Sequence, residues 1–318
     1  MNKFRFVSVL ALLLGISILF SCKKNSEFKQ EDGSTAEEVS EMQSSADAGI
    51  DDANRAVNDV GGIAGRSLED LQSLQSIMAI CGGTADTTQR DQGIVTVTFD
   101  GTTPCNGRIR SGTIKATLIG FSTGTRWKDA NAVLQLDFTA YKVVRASDKK
   151  SWTFDGRTTN TNVSGGNLVL MWLKLQPNVV NKVEGTDLKV TFDDGKTGTF
   201  NISRQYTHTY DHTAKVHTIK GEGLGSHNGI SQLENWGVNR DGLAFTNKVV
   251  EPIVVNTSCA LNKPIAGKFE LAVEEKDFTL ITTANVDQDG NPVSACGYGY
   301  KVEWTYKGKT KHKIIAYK

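Results

Sequence analysis

Val95-Thr-Val-Thr-Phe99, closed by Asp100-Gly101, alternates apolar and polar residues with a period of two. That period suits an extended strand with one buried face, because successive side chains leave opposite sides of a sheet. Ile114-Lys-Ala-Thr-Leu118 and Leu134-Gln-Leu-Asp-Phe138 repeat it. Trp152-Thr-Phe154, Leu188-Lys-Val190, Phe200-Asn-Ile202 and Leu243-Ala-Phe245 carry shorter versions. Asp-Gly pairs at Asp100, Asp155, Asp194, Asp241 and Asp289 punctuate the runs and supply the positive φ of tight hairpins. Leu168 to Leu175 (LVLMWLKL) is apolar on both faces and reads as a central, doubly covered strand. The pattern predicts a mainly β, antiparallel, sandwich-like body over residues 81–258. Residues 259–318 read as a C-terminal β lobe, set off by Pro252 and Asn256-Thr-Ser258.

Upstream the period changes. Val39, Met42, Ala46, Ile50, Ala53, Val57 and Val60 are spaced by three or four, which predicts a helix from Thr35 to Val60 with its Glu, Asp, Ser and Asn residues on the other face. Gly49 is a weak spot in it. Gly61, Gly62 and Gly65 stop it. Ser67, with Asp70 three places on, caps a second short helix carrying Leu71, Leu74 and Met78. The helical segment, 35–80, is expected to act as a spacer or packing element.

The first 22 residues set the compartment. Lys3 and Arg5 precede an uncharged run from Val7 to Phe20, too short for a comfortable membrane span and suited to a signal peptide. It ends Leu19-Phe20-Ser21-Cys22, which resembles the lipobox of bacterial lipoproteins. That resemblance implies removal of residues 1–21 and lipidation of Cys22, leaving the lipid as the membrane attachment. Residues 22–34 are polar and read as a tether. Lys23 stands where an inner-membrane retention signal would place aspartate, so the expected location is the outer membrane, facing either the periplasm or the outside. Loss of Lys3 and Arg5 with the signal turns the formal charge from +1 to −1. A chain so close to neutral has no general attraction for nucleic acid.

Besides Cys22 there are Cys81, Cys105, Cys259 and Cys296. An even number in an oxidising compartment reads as two disulfides, and three pairings are open. Cys81–Cys105 with Cys259–Cys296 is the economical choice, each bridge contributing roughly 3 kcal/mol by shortening the unfolded chain's reach. No C-x-x-C and no neighbouring His supports zinc at these cysteines.

Three stretches carry candidate site residues. His208, His212 and His217 lie in HTYDHTAKVH. If Asp211 to Ala214 make the turn, His208 faces His217 across two strands, and a third ligand from His212 or Asp211 would complete a Zn or Cu site. The competing reading is a partly buried aromatic patch with Tyr206, Tyr210 and Ile219. Asn285-Val-Asp287-Gln-Asp289-Gly290 resembles the first half of a calcium loop, with Asp287 and Asp289 as ligands. The place of its closing glutamate is taken by Cys296, and a plain Asp-Gly turn is the alternative. Tyr298, Tyr300, Trp304 and Tyr306 alternate with polar residues, as a glycan-stacking platform would and as a sheet face sealing a core also would. Motifs of nucleophilic, metalloprotease and nucleotide chemistry (G-x-S-x-G, H-E-x-x-H, the P-loop) do not occur.

Three groups of fragments are read together: Phe99-Asp-Gly with Cys105-Asn-Gly-Arg-Ile-Arg-Ser-Gly112, Gly237-Val-Asn-Arg-Asp-Gly242 with Glu251-Pro-Ile-Val-Val255 and Ser258-Cys259, and Pro264-Ile-Ala-Gly267 before Cys296. Together with the acidic helix they resemble a family of uncharacterised all-β cell-envelope lipoproteins of Bacteroidota. The resemblance implies a compartment and a fold and no chemistry. The expected function is that of a lipid-anchored envelope protein with a structural, partner-binding or glycan-binding role. A carbohydrate-active or other hydrolase with carboxylates in a β-sheet cleft is the alternative.

Overall fold

The computed structural model describes residues 30–65, 80–259, 263–273, 278–306 and 308–317. The signal peptide, Cys22, most of the tether and the second helix expected from Ser67 lie outside the described residues.

The described residues build one antiparallel 15-stranded sheet. It begins with β1 (Gly83–Asp86), β2 (Ile94–Cys105), β3 (Arg108–Leu118), β4 (Ala132–Arg145), β5 (Ser151–Asn162), β6 (Asn178–Phe192) and β7 (Thr197–Asp211), each paired with the next. It ends with β11 (Ala244–Asn256), β12 (Pro264–Val273), β13 (Phe278–Val286), β14 (Gly299–Tyr306) and β15 (Lys309–Ala316), again neighbour to neighbour. Between β7 and β11 the lane is shared by β8 (Val216–Gly223) and β10 (Ile230–Val238), which pair with different ends of both strands. The small strand β9 (Gly225–His227) and the first residues of β10 form a hairpin interrupting that lane, turned by Asn228-Gly229 with φ of 49° and 80°. The mainly β, antiparallel body read from the alternating runs is therefore present, and the sheet continues from β11 into β12.

Against this sheet lies a 30-residue helix, α1 (Gln30–Asp59), which starts inside the stretch read as tether. It begins beside Arg145 at the end of β4, where Glu37 reaches that arginine. It finishes beside Asn160 near the end of β5, whose amide donates to Asn54 Oδ1. Val39, Met42, Ala46, Ile50, Ala53 and Val57 are buried in the main core with Val97, Ile114, Leu136, Phe138, Tyr141 and Phe154. The expected apolar stripe is thus the packing face. The opposite face departs from expectation: Gln43, Ser44, Asp47 and Asp52 are buried too, Gln43 and Asp47 meeting β10 and β7 while Asp52 meets Arg110 of β3.

A row of register shifts crosses the sheet at Asp100/Pro104, Ser111/Thr113, Phe138/Tyr141, Asp155/Thr158 and Gly185/Leu188. Bulges bend a strand and raise its local twist, so an aligned row of them curves a sheet. Here Gly112, at φ 89°, passes so close to Ala140 that a Cβ would meet its carbonyl oxygen at 2.1 Å, and Asp155 Oδ1 accepts the Ala140 amide at 2.7 Å. Two of the five Asp-Gly pairs, at Asp100 and Asp155, therefore sit in bulges within strands rather than in hairpin turns. Gly101 and Gly156 take up positive φ there, 73° and 134°, the conformation that a tight turn would also have asked of them.

LVLMWLKL is not a strand. Leu168–Trp172 forms a short helix, Asn167 Oδ1 accepts the Leu170 amide at its start, and Leu173 and Leu175 are exposed. β5 and β6 pair directly with each other, which leaves no lane for it, and Pro177 follows before β6 begins.

Candidate functional site

The densest charged constellation joins α1 to the sheet. Arg108 and Arg110 open β3, and both enter the interface. Arg108 Nη2 donates to Glu41 Oε2 at 2.8 Å, and Arg110 pairs with Asp52. Arg145 reaches Glu37 at 2.5 Å and Glu41 at 3.3 Å. On the other flank Arg240, in the link from β10 to β11, holds Glu38 through its backbone amide at 3.0 Å and Nε at 2.8 Å. At the centre Arg204 of β7 pairs with Asp47 and reaches Glu234 of β10 at 3.4 Å. Gln43 of α1 ties the helix to β10, donating to Glu234 Oε1 at 2.5 Å and accepting from Asn235 Nδ2 at 2.9 Å.

These five arginines explain why an acidic helix can be enclosed. A buried carboxylate without a partner is prohibitively costly, whereas one met by a guanidinium keeps its charge solvated by the protein. The compensation is incomplete at the centre, where Asp47 and Glu234 share the single cation Arg204. Burial accordingly pushes the Glu234 carboxyl up, opposed by Arg204 and by the Gln43 hydrogen bond. Burial also raises Asp52 and Glu38 against the pull of Arg110 and Arg240. At the rim the balance reverses, and Arg145 and Arg240 hold Asp148 and Asp193 below the usual range. Among the described residues the carboxyls pushed up in this constellation, Glu38, Asp52 and Glu234, all lie where α1 meets the sheet, so the arrangement grips a helix.

His208 and His217 meet on the inner face of β7 and β8. Their Nδ1 and Nε2 atoms are 3.3 Å apart, with the ring centroids 5.4 Å apart and the ring planes inclined by 27°, so the rings meet edge to edge. The register differs from the expected one: Tyr210 faces His217 and His208 faces Ile219, so the two imidazoles touch diagonally. Burial pushes His208 down to about 3, with help from His217, and His217 down to about 4. His212 does not join them, packing edge-on against Tyr210 at 4.9 Å. Asp211 is spent on the turn, accepting the Thr213 and Ala214 amides. Among the described residues no three His, Cys, Asp or Glu side chains come together as metal ligands.

The calcium-like stretch is an Asx turn. Asp287 Oδ1 accepts the Asp289 and Asn291 amides, each at 2.9 Å, which holds its carboxyl below the usual range. Asn285 is buried and accepts the Gly297 amide at 2.7 Å, while Asp289 is exposed. In the aromatic alternation Tyr300 and Trp304 pack against the main core, with Val302 buried between them. Burial pushes Tyr300 up to about 12. Tyr298 is exposed, and the Tyr306 side chain lies outside the described residues. Both disulfides join the neighbouring cysteines, Cys81–Cys105 at 6.0 Å and Cys259–Cys296 at 5.4 Å between Cα atoms. Among the described residues no helix is long and apolar enough to cross a membrane.

Sequence reasoning missed the arginines. One signal was there: Phe200-Asn-Ile202-Ser-Arg204 places an arginine on the apolar side of an alternating strand, where only a buried partner makes it tolerable. The chain matches no family model, no curated protein and no solved structure.

Proposed function

We propose that this is a non-catalytic, lipid-anchored protein of the outer membrane, in which α1 is the rigid link between an anchor at Cys22 and a β body that binds an envelope partner or glycan. The observation that supports it is the grip of Arg108, Arg110, Arg145, Arg204 and Arg240 on the acids of α1, the first described element after the N-terminal stretch. A body carried on a lipid must transmit every pull through the segment nearest the lipid. A helix paired along its length with several strands transmits load without unravelling end-first. The lipobox-like Leu19-Phe20-Ser21-Cys22 supplies the attachment point in this reading.

Cys22→Ala tests the anchor. The wild-type chain expressed in an envelope-bearing bacterial host should partition into the detergent phase and the variant into the aqueous phase. Equal partitioning of the two overturns the reading. Glycan-array binding by the same chain then separates the glycan version from the protein-partner version.

A further inference from the structure

We propose that His208 and His217 form a two-coordinate site for a soft monovalent cation, cuprous or silver ion. Their facing nitrogens lie 3.3 Å apart in an N–H···N hydrogen bond, so each ring's in-plane direction is aimed at the other. A linear two-coordinate ion needs that same alignment. Two metal–nitrogen bonds of about 2 Å set end to end span about 4 Å, so the rings must separate by less than about 1 Å. His208 is the more exposed of the two residues, His217 being buried.

The exchange balances without redox chemistry. In the empty pair one ring places its proton between the two nitrogens. When the cation enters, that proton passes to the other nitrogen of the same ring, and both facing nitrogens donate their lone pairs. No proton is released and nothing is oxidised or reduced. Imidazole ligates through the ring-nitrogen lone pair of its neutral form.

The surroundings select the kind of ion. Zinc and divalent copper take three or four protein ligands. Here His212 is turned onto Tyr210, and among the described residues no third ligand joins the pair. The neighbours are largely apolar or aromatic: Ile219 and Val179 flank His208 in the register, Trp172 stands edge-on to His217 at 6.2 Å, and the nearby Thr257 hydroxyl is engaged in accepting the His217 backbone amide. Such a box disfavours a strongly hydrated divalent ion and suits a weakly hydrated monovalent one bound by imidazole. The site does not depend on the anchor.

The test titrates the full chain carrying Cys22→Ser, so that no free thiol competes, with silver nitrate in chloride-free buffer and with chelator-buffered cuprous ion. Zinc serves as comparator. One equivalent of silver and of cuprous ion should bind, with quenching of a fluorescence component that Trp172→Phe removes. His208→Phe and His217→Phe should each lose the binding, and His212→Ala should keep it. Imidazole nitrogen NMR of the unsubstituted pair, shifting at Nδ1 of His208 and Nε2 of His217 on silver addition, gives the same answer if a Phe variant fails to fold. Absence of binding, binding retained in both Phe variants, loss in His212→Ala, or zinc binding as tight as silver overturns the proposal.

Discussion

Arg204, on the inner face of β7, is paired with Asp47 at the middle of α1, and both are at most 4% exposed. The contact joins the N-terminal helix to a strand at the middle of the sheet. It closes the polar flank of an enclosed helix whose apolar flank is filled by Ile114, Phe138 and Tyr141.

Removing this cation should be severe. Arg204→Met leaves Asp47 and Glu234 buried without their shared partner, and stability should fall by about 3–5 kcal/mol. Adding Asp47→Asn and Glu234→Gln to it should recover a large part of the loss. Urea unfolding of the single and triple variants measures both, and a single variant within 1 kcal/mol of wild type, roughly the worth of a surface pair, would contradict the pairing's role.

Glu234 should make the protein less stable as pH rises. Its native pKa is raised above 4.5, so the folded state holds a proton that the unfolded state has lost. That contribution is fully present below about 4.5 and disappears as pH rises through the native value. Glu234→Gln keeps an oxygen for the Gln43 amide and cannot ionise. The variant should therefore be more stable than wild type at pH 7, with the difference vanishing near pH 4.

The histidine pair should act with the opposite sign. Their native values of about 3 and about 4 lie below the ordinary 6.5. The unfolded chain therefore binds protons that the folded one cannot, and stability falls as pH drops below about 6.5. Unfolding at pH 5 should take up protons through these rings, up to about two in all. The double variant His208→Phe/His217→Phe should lack that uptake, as measured by the pH slope of the urea midpoint.

Gly49 is where the helix lies tightest on the sheet. A Cβ there would meet Ile114 Cδ1 at 2.7 Å, Tyr141 Cε1 at 3.0 Å and Phe138 Cε1 at 3.1 Å. Gly49→Leu should cost about 1–3 kcal/mol through overpacking, despite leucine's better helix propensity. A thermal melt equal to wild type would mean that the helix does not sit this close.

The residue that weakens α1 in isolation is thus the one that lets the sheet close over it. The periodicity of Val39 to Val57 located the helix and its apolar stripe, because that information is local. It said nothing about the acidic face, which in an isolated helix would simply be solvated. Only the arrival of Arg204 and Arg240 from residues far along the chain turned that face inward. The histidines show the same division: the spacing in HTYDHTAKVH was enough to bring His208 and His217 onto adjoining strands. Whether they met squarely or diagonally depended on the turn at His212 to Lys215, and His212 was lost to Tyr210.

By itself the sequence determined the alternating strands from Val95 onward and the helix that precedes them, and it supplied four cysteines whose pairing as neighbours the structure then selected from three possibilities. Periodicity and short loops are properties of adjacent residues. The tertiary structure alone decided that the sheet is one continuous surface bent by a row of bulges, and that LVLMWLKL turns into a short helix. It also decided that the acidic helix is held inside the sheet's arginines. Each of these depends on which distant strand a segment meets, and a strand's pairing partners are set by the packing of the whole sheet rather than by its own residues.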